Sequence, residues 1–75
     1  MRAAQRLGTH LQRLRTHRGL TQEQLAVNVG LSRIFITRLE QGQYDPTLST
    51  LVRLAKALRV SVTELLGESM SANLW

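Results

Sequence analysis

The sequence contains no cysteine, which excludes disulfides and thiolate-bound zinc as supports for the fold. Only two histidines are present, His10 and His17, seven residues apart. With no carboxylate beside them they read as surface or boundary side chains, and no metal or cofactor is expected. No apolar run approaches the roughly 18 to 20 residues of a membrane-spanning helix, and the N-terminus lacks the apolar centre of a signal peptide. No membrane partner is expected, and the chain reads as a soluble intracellular domain. A nucleophile–base pair, a phosphate-binding glycine loop and a metal-ligating cluster are all missing, so an enzyme is not expected. No stretch alternates long enough for a strand.

Acidic residues are scarce, and their placement says more than their number. Residues 1–39 hold seven arginines against Glu23 alone, a net of +6, while residues 40–75 hold Arg53, Lys56 and Arg59 against Glu40, Asp45, Glu64 and Glu68, a net of −1. Positive charge confined to one half points to a polyanionic partner. Nine of the ten cations are arginines, whose planar fork suits phosphate and guanine. At 75 residues there is room for one domain. A domain of this size buries about 60% of its unfolded surface, so its core is thin and a partner subunit is a natural support.

What the chain does have is helical periodicity. Leu7, Leu11 and Leu14 recur at i, i+4 and i+7 and predict a first helix over roughly residues 2–17, stopped at Gly19. Thr21 and Gln24 make a capping box for a second helix carrying Leu25, Ala26 and Val29, which Gly30 ends. Ser32 caps a third helix that runs to about Gln41, with Gly42 as its stop. Asp45-Pro46 marks a loop. Thr47 caps a fourth helix whose inward face is predicted as Leu48, Leu51, Leu54, Ala55 and Leu58. Ser61 and Glu64 open a short fifth helix with Val62, Leu65 and Leu66, ended by Gly67. Residues 1–67 are thus predicted as one compact all-α domain, and residues 68–75 as a short C-terminal tail with Met70, Leu74 and Trp75.

Residues 22–41, QEQLAVNVGLSRIFITRLEQ, carry the functional signal. A helix-turn-helix joins two helices at about 90–120° through a turn of three or four residues that often contains glycine. Ala26 is small where such helices approach closely, and Gly30 can take positive φ at the turn. Leu25, Val29, Leu31, Ile36 and Leu39 supply the inward set. On the segments GLTQEQLA, GLSRIFITRLEQG, DPTLSTLVRLAKAL and VSVTELL, the chain resembles the lambda-repressor-like, Cro-type helix-turn-helix regulators, also called the xenobiotic-response-element family. The resemblance implies the five-helix lambda-repressor-like DNA-binding fold, with the third helix in the major groove of double-stranded DNA.

Periodicity also sorts the faces of that helix. With Ile36 and Leu39 inward, Ile34 points outward, flanked by Thr37, Arg38 and Gln41. An outward isoleucine beside arginines suits a partly apolar partner surface such as a thymine methyl. Arg33, in the first turn, is the leading candidate for base readout through a guanine. Ser32, Ile34, Thr37 and Arg38 complete the candidate base contacts. Ser32 is first a cap, Thr37 could meet a thymine methyl or a phosphate, and Arg38 a base or a phosphate. Candidate phosphate contacts are Gln22 at the positive end of the second helix, the loop amides of Gly42, Gln43 and Tyr44 with the Tyr44 hydroxyl, and Arg15. Phe35 is counted with them, although it cannot hydrogen-bond and must pack on sugar or protein. The resemblance further implies a structural ion pair between Arg15 and Glu40, locking the third helix to the first.

The function expected is a sequence-specific, double-stranded DNA-binding transcriptional regulator. It would act as a homodimer on an inverted repeat, as phage repressors and restriction–modification controllers do, in the cytoplasm on the nucleoid. Val60, Val62, Leu66 and Met70 are the candidate dimer surface, and no small-molecule effector is expected. The alternative is an antitoxin-like or adaptor domain that docks a protein through Ile34, Phe35 and Trp75.

Overall fold

Four of the five helices begin at a hydroxyl side chain in extended backbone that accepts a hydrogen bond from the amide three residues on. In the computed structural model, which describes residues 3–67, α1 spans Ala3–His17, α2 Gln22–Val29, α3 Arg33–Glu40, α4 Leu48–Leu58 and α5 Val62–Leu65. Thr21, Ser32, Thr47 and Ser61 cap α2 to α5, each satisfying one of the otherwise unpaired first-turn amides. Reciprocal capping boxes close at Thr21–Gln24 and Ser61–Glu64.

The helix ends are equally local. After α1, α2 and α3 the chain turns through a glycine at positive φ (Gly19, Gly30 and Gly42), and the following amide reaches back to the last turn. α4 ends in the same way without a glycine: Arg59 takes φ 58°, and Val60 N donates to Ala55 O. No strand occurs among the described residues.

The core forms where these helices meet. Leu7 and Leu11 of α1, Leu25, Ala26 and Val29 of α2, Ile36 and Leu39 of α3, Leu54, Ala55 and Leu58 of α4 and Leu65 of α5 are all buried. α1 packs on α3 and α5, α2 packs on α3 and α4, and α4 packs on α5. The inward set expected around the turn is buried except Leu31, which is half-buried against the core.

One residue of the expected α4 face is corrected. Leu48 is 70% exposed, although it is in register with Leu51, Leu54 and Leu58. It occupies the first position of α4 and projects beyond the core. Val60, Val62 and Leu66 are half-buried and pack against the core, so only part of their apolar surface is left for a second subunit. Met70, Leu74 and Trp75 lie outside the described residues.

Candidate nucleic-acid interface

The two helices of the motif are joined by Gly30, Leu31 and Ser32. Gly30 at φ 70° reverses the chain, its neighbour Leu31 donates to Ala26 O at 2.9 Å, and Ser32 Oγ accepts from Phe35 N at 3.2 Å. The turn is therefore closed by its own backbone, while Leu25, Ala26, Val29, Ile36 and Leu39 bury the seam between α2 and α3. A guanidinium of Arg53 on α4 also caps α2 from outside by donating to Val29 O.

The inner side of α3 is anchored by charge. Arg15 Nε donates to Glu40 Oε2 at 2.6 Å and Nη2 to Oε1 at 3.2 Å, with Arg15 and Glu40 only 8% and 9% exposed. The remaining Arg15 nitrogen, Nη1, donates to Leu20 O at 2.6 Å. Glu40 Oε1 also accepts from Gln22 Nε2 at 3.0 Å, and Gln22 Oε1 accepts from the Thr37 hydroxyl at 2.8 Å. A continuous polar chain thus runs from α1 through α3 to the first residue of α2 and back to α3. Among the described residues no buried side-chain nitrogen or oxygen lacks a partner, as a polar network in low dielectric requires.

The outer side of α3 is open. Ile34 is 63% exposed, and Arg33, Arg38 and Gln41 are exposed around it. Arg38 Nη1 donates to the Tyr44 hydroxyl at 3.1 Å, and the Phe35 and Tyr44 rings lie 5.1 Å apart between centroids at 30°. Tyr44 is thereby tied to α3 from both sides, and the loop after α3 belongs to the same surface.

Three sequence expectations change here. Arg15 is expected in both the ion pair and a phosphate contact; its guanidinium is buried and all three nitrogens already donate inside the protein, so it is not placed to grip a backbone. The Gly42 and Gln43 amides are spent on Leu39 O and Arg38 O at 3.1 and 3.0 Å, because they close the end of α3. That leaves the Gln43 side chain, the Tyr44 amide and the Tyr44 hydroxyl on the loop surface. Phe35 is half-buried against the core and Tyr44, a packing residue rather than a phosphate contact. Gln22 keeps a first-turn position at the positive end of α2, with the Gln22 and Glu23 amides outside the capping box.

Gly8 was missed. It lies buried in the middle of α1, where glycine costs about 1 kcal/mol relative to alanine, and that cost was the available signal that something packs closely against it. Arg53 as a cap on α2 carried no comparable local signal.

A helix-turn-helix family model matches residues 11–65. An uncharacterised HTH-type transcriptional regulator of Sinorhizobium fredii is 44% identical over 59 residues, covering 79% of this chain and 77% of that protein. The immunity repressor protein of Bacillus phage phi105 is 40% identical over 62 residues, covering 83% of this chain but 43% of the repressor. Among solved structures, the restriction-modification controller protein C.AhdI of Aeromonas hydrophila superposes with a TM-score of 0.80 at 39% identity, covering 83% of this chain and 94% of the controller.

Proposed function

The chain belongs to the helix-turn-helix family and is a DNA-binding transcription regulator, and we propose that it reads an inverted-repeat operator as a homodimer, with α3 in the major groove. The observation that carries this reading is the outer face of α3. Arg33 and Arg38 stand on either side of an exposed Ile34, on a helix whose inner side is immobilised by the Arg15–Glu40 pair. Cations beside an apolar side chain on a rigid helix suit base edges and a thymine methyl.

In this reading Arg33 reads a guanine and Ile34 a thymine methyl, while Ser32, Thr37 and Arg38 complete the face towards the bases. Gln22, with the first-turn amides of α2, holds a phosphate at the positive end of the helix, and the Tyr44 hydroxyl and Gln43 side chain hold another. A single recognition helix reads only a few base pairs, and two-fold pairing supplies the rest of the specificity. The second subunit would cover the exposed Leu48 of α4 and the open parts of Val60, Val62 and Leu66. This reading calls on no catalytic step, metal or small-molecule effector. As a DNA-binding regulator it would act where the DNA lies, in the cytoplasm. No helix among the described residues is long and apolar enough to cross a membrane.

Selection of bound sequences from a random DNA pool tests this directly. A symmetric motif with a fixed half-site spacing is expected. Affinity should also fall with salt, with a log–log slope near −0.9 per phosphate neutralised. Retention of a protein partner but no DNA at low salt would overturn the reading in favour of an antitoxin-like or adaptor role.

A further inference from the structure

We propose that Thr37 meets the DNA only as a hydrogen-bond acceptor, taking the exocyclic amino group of an adenine or a cytosine, and that the buried Arg15–Glu40 pair sets this polarity through Gln22. The inference rests on α3 lying in the major groove.

The direction of each bond in the network follows from the one before it. Glu40, paired with the Arg15 guanidinium, offers its neighbours only acceptor oxygens. The Gln22 group 3.0 Å from Glu40 Oε1 must therefore be the amide nitrogen. That choice fixes the other end of the same amide, so Gln22 presents its carbonyl oxygen to Thr37 at 2.8 Å. The second internal partner of the Thr37 hydroxyl is also a carbonyl, Arg33 O at 3.0 Å. A carbonyl cannot donate, and a hydroxyl carries a single hydrogen. That hydrogen is directed into the protein whichever carbonyl takes it.

The half-exposed Thr37 is left with oxygen lone pairs and a methyl group to present outward. Phosphate oxygens accept only, as do guanine O6 and N7 and thymine O4, so none of them can bond to this oxygen. In the major groove the donors are adenine N6 and cytosine N4. A threonine whose hydrogen is already committed thus becomes a selective residue, although a free threonine bonds either kind of group. Gln22, by contrast, keeps a second amide hydrogen for a phosphate, so one side chain both orients Thr37 and remains a candidate backbone contact.

The test uses the full chain and the site defined by random-pool selection. One half-site position should prefer adenine or cytosine. Thr37→Val keeps the shape and removes the acceptor; it should lose about three- to tenfold on that site, the worth of one neutral hydrogen bond, with the other positions unchanged. Thr37→Ser should retain the preference. Replacing the base by its analogue without the amino group (purine for adenine, 2-pyrimidinone for cytosine) should cost the wild type the same factor and Thr37→Val nothing further. Equal loss by Thr37→Val on all sequences would make Thr37 a phosphate contact and overturn the inference. So would an analogue that costs the variant as much as the wild type, or no change in either. Thermal melting of the variants separates a folding defect from these outcomes, and Thr37→Ser, if Thr37→Val unfolds, carries the analogue comparison alone: the analogue must cost it the wild-type factor, and a smaller cost overturns the inference. Absence of any sequence selection by the wild type would instead overturn the DNA-reading proposal itself, and this inference with it.

Discussion

Gly8 of α1 lies so close to Leu39 of α3 that a β-carbon on the glycine would sit 2.5 Å from the Leu39 carbonyl oxygen, and 2.6 Å from that of Glu40. Those atoms are backbone and cannot swing aside. The approach brings α1 onto the end of α3, where Arg15 reaches Glu40. Gly8→Ala would gain about 1 kcal/mol of helix propensity, yet the steric cost of forcing two helices apart, about 1–3 kcal/mol or more, should win. A lower melting temperature is expected, and a rise would show that the contact yields.

Breaking the buried ion pair should be more costly. Glu40→Ala leaves the Arg15 guanidinium buried with one carbonyl partner, and loss of about 3–5 kcal/mol is expected. Replacing Arg15 and Glu40 together by leucine should cost much less, because no charge is then stranded. Urea titration of the single and double variants gives the comparison, and equal destabilisation would mean that the pair does not act as a unit.

Arg59 is the one described non-glycine residue at positive φ, a conformation that costs an L-residue about 1–2 kcal/mol. Its carbonyl, not its side chain, accepts from Arg18. Arg59→Gly should therefore raise the urea midpoint, by an amount equivalent to about 1 kcal/mol. A fall would show that the arginine side chain has a structural role outweighing the backbone strain.

Arg33→Ala should weaken binding to the selected operator by about 1–3 kcal/mol and relax preference at one base position. Competition binding against random DNA distinguishes the readings. An equal loss on both would assign Arg33 to phosphate.

Leu48→Glu changes an exposed apolar residue and should leave thermal stability of the isolated protomer within about 0.5 kcal/mol. If α4 contributes to the dimer, the same change should shift the sedimenting species towards monomer and weaken operator binding. A dimer unaltered by the substitution would place the interface elsewhere.

Much of the fold was legible because it is written in short-range chemistry. Thr21, Ser32, Thr47 and Ser61 cap by bonding three residues ahead, and Gly19, Gly30 and Gly42 turn the chain because only they take positive φ without strain. The outward direction of Ile34 followed from the inward directions of Ile36 and Leu39 on the same helix. Gly42 carries a further consequence of the same kind: a helix that ends in this way spends the next two amides on itself.

Residue order alone therefore determined where the helices start and stop, and which face of α3 is free, since each depends on neighbours within one turn. Only the tertiary structure decided what lies opposite each face. Periodicity assigns Leu48 a direction but cannot say that the core ends before it. Nor can it say that Gly8 meets a carbonyl, or that the Thr37 hydroxyl faces the Gln22 carbonyl oxygen across the seam. Those outcomes depend on groups far apart in the chain, brought together when α1, α2 and α3 pack and the buried Glu40 must find donors for both of its oxygens.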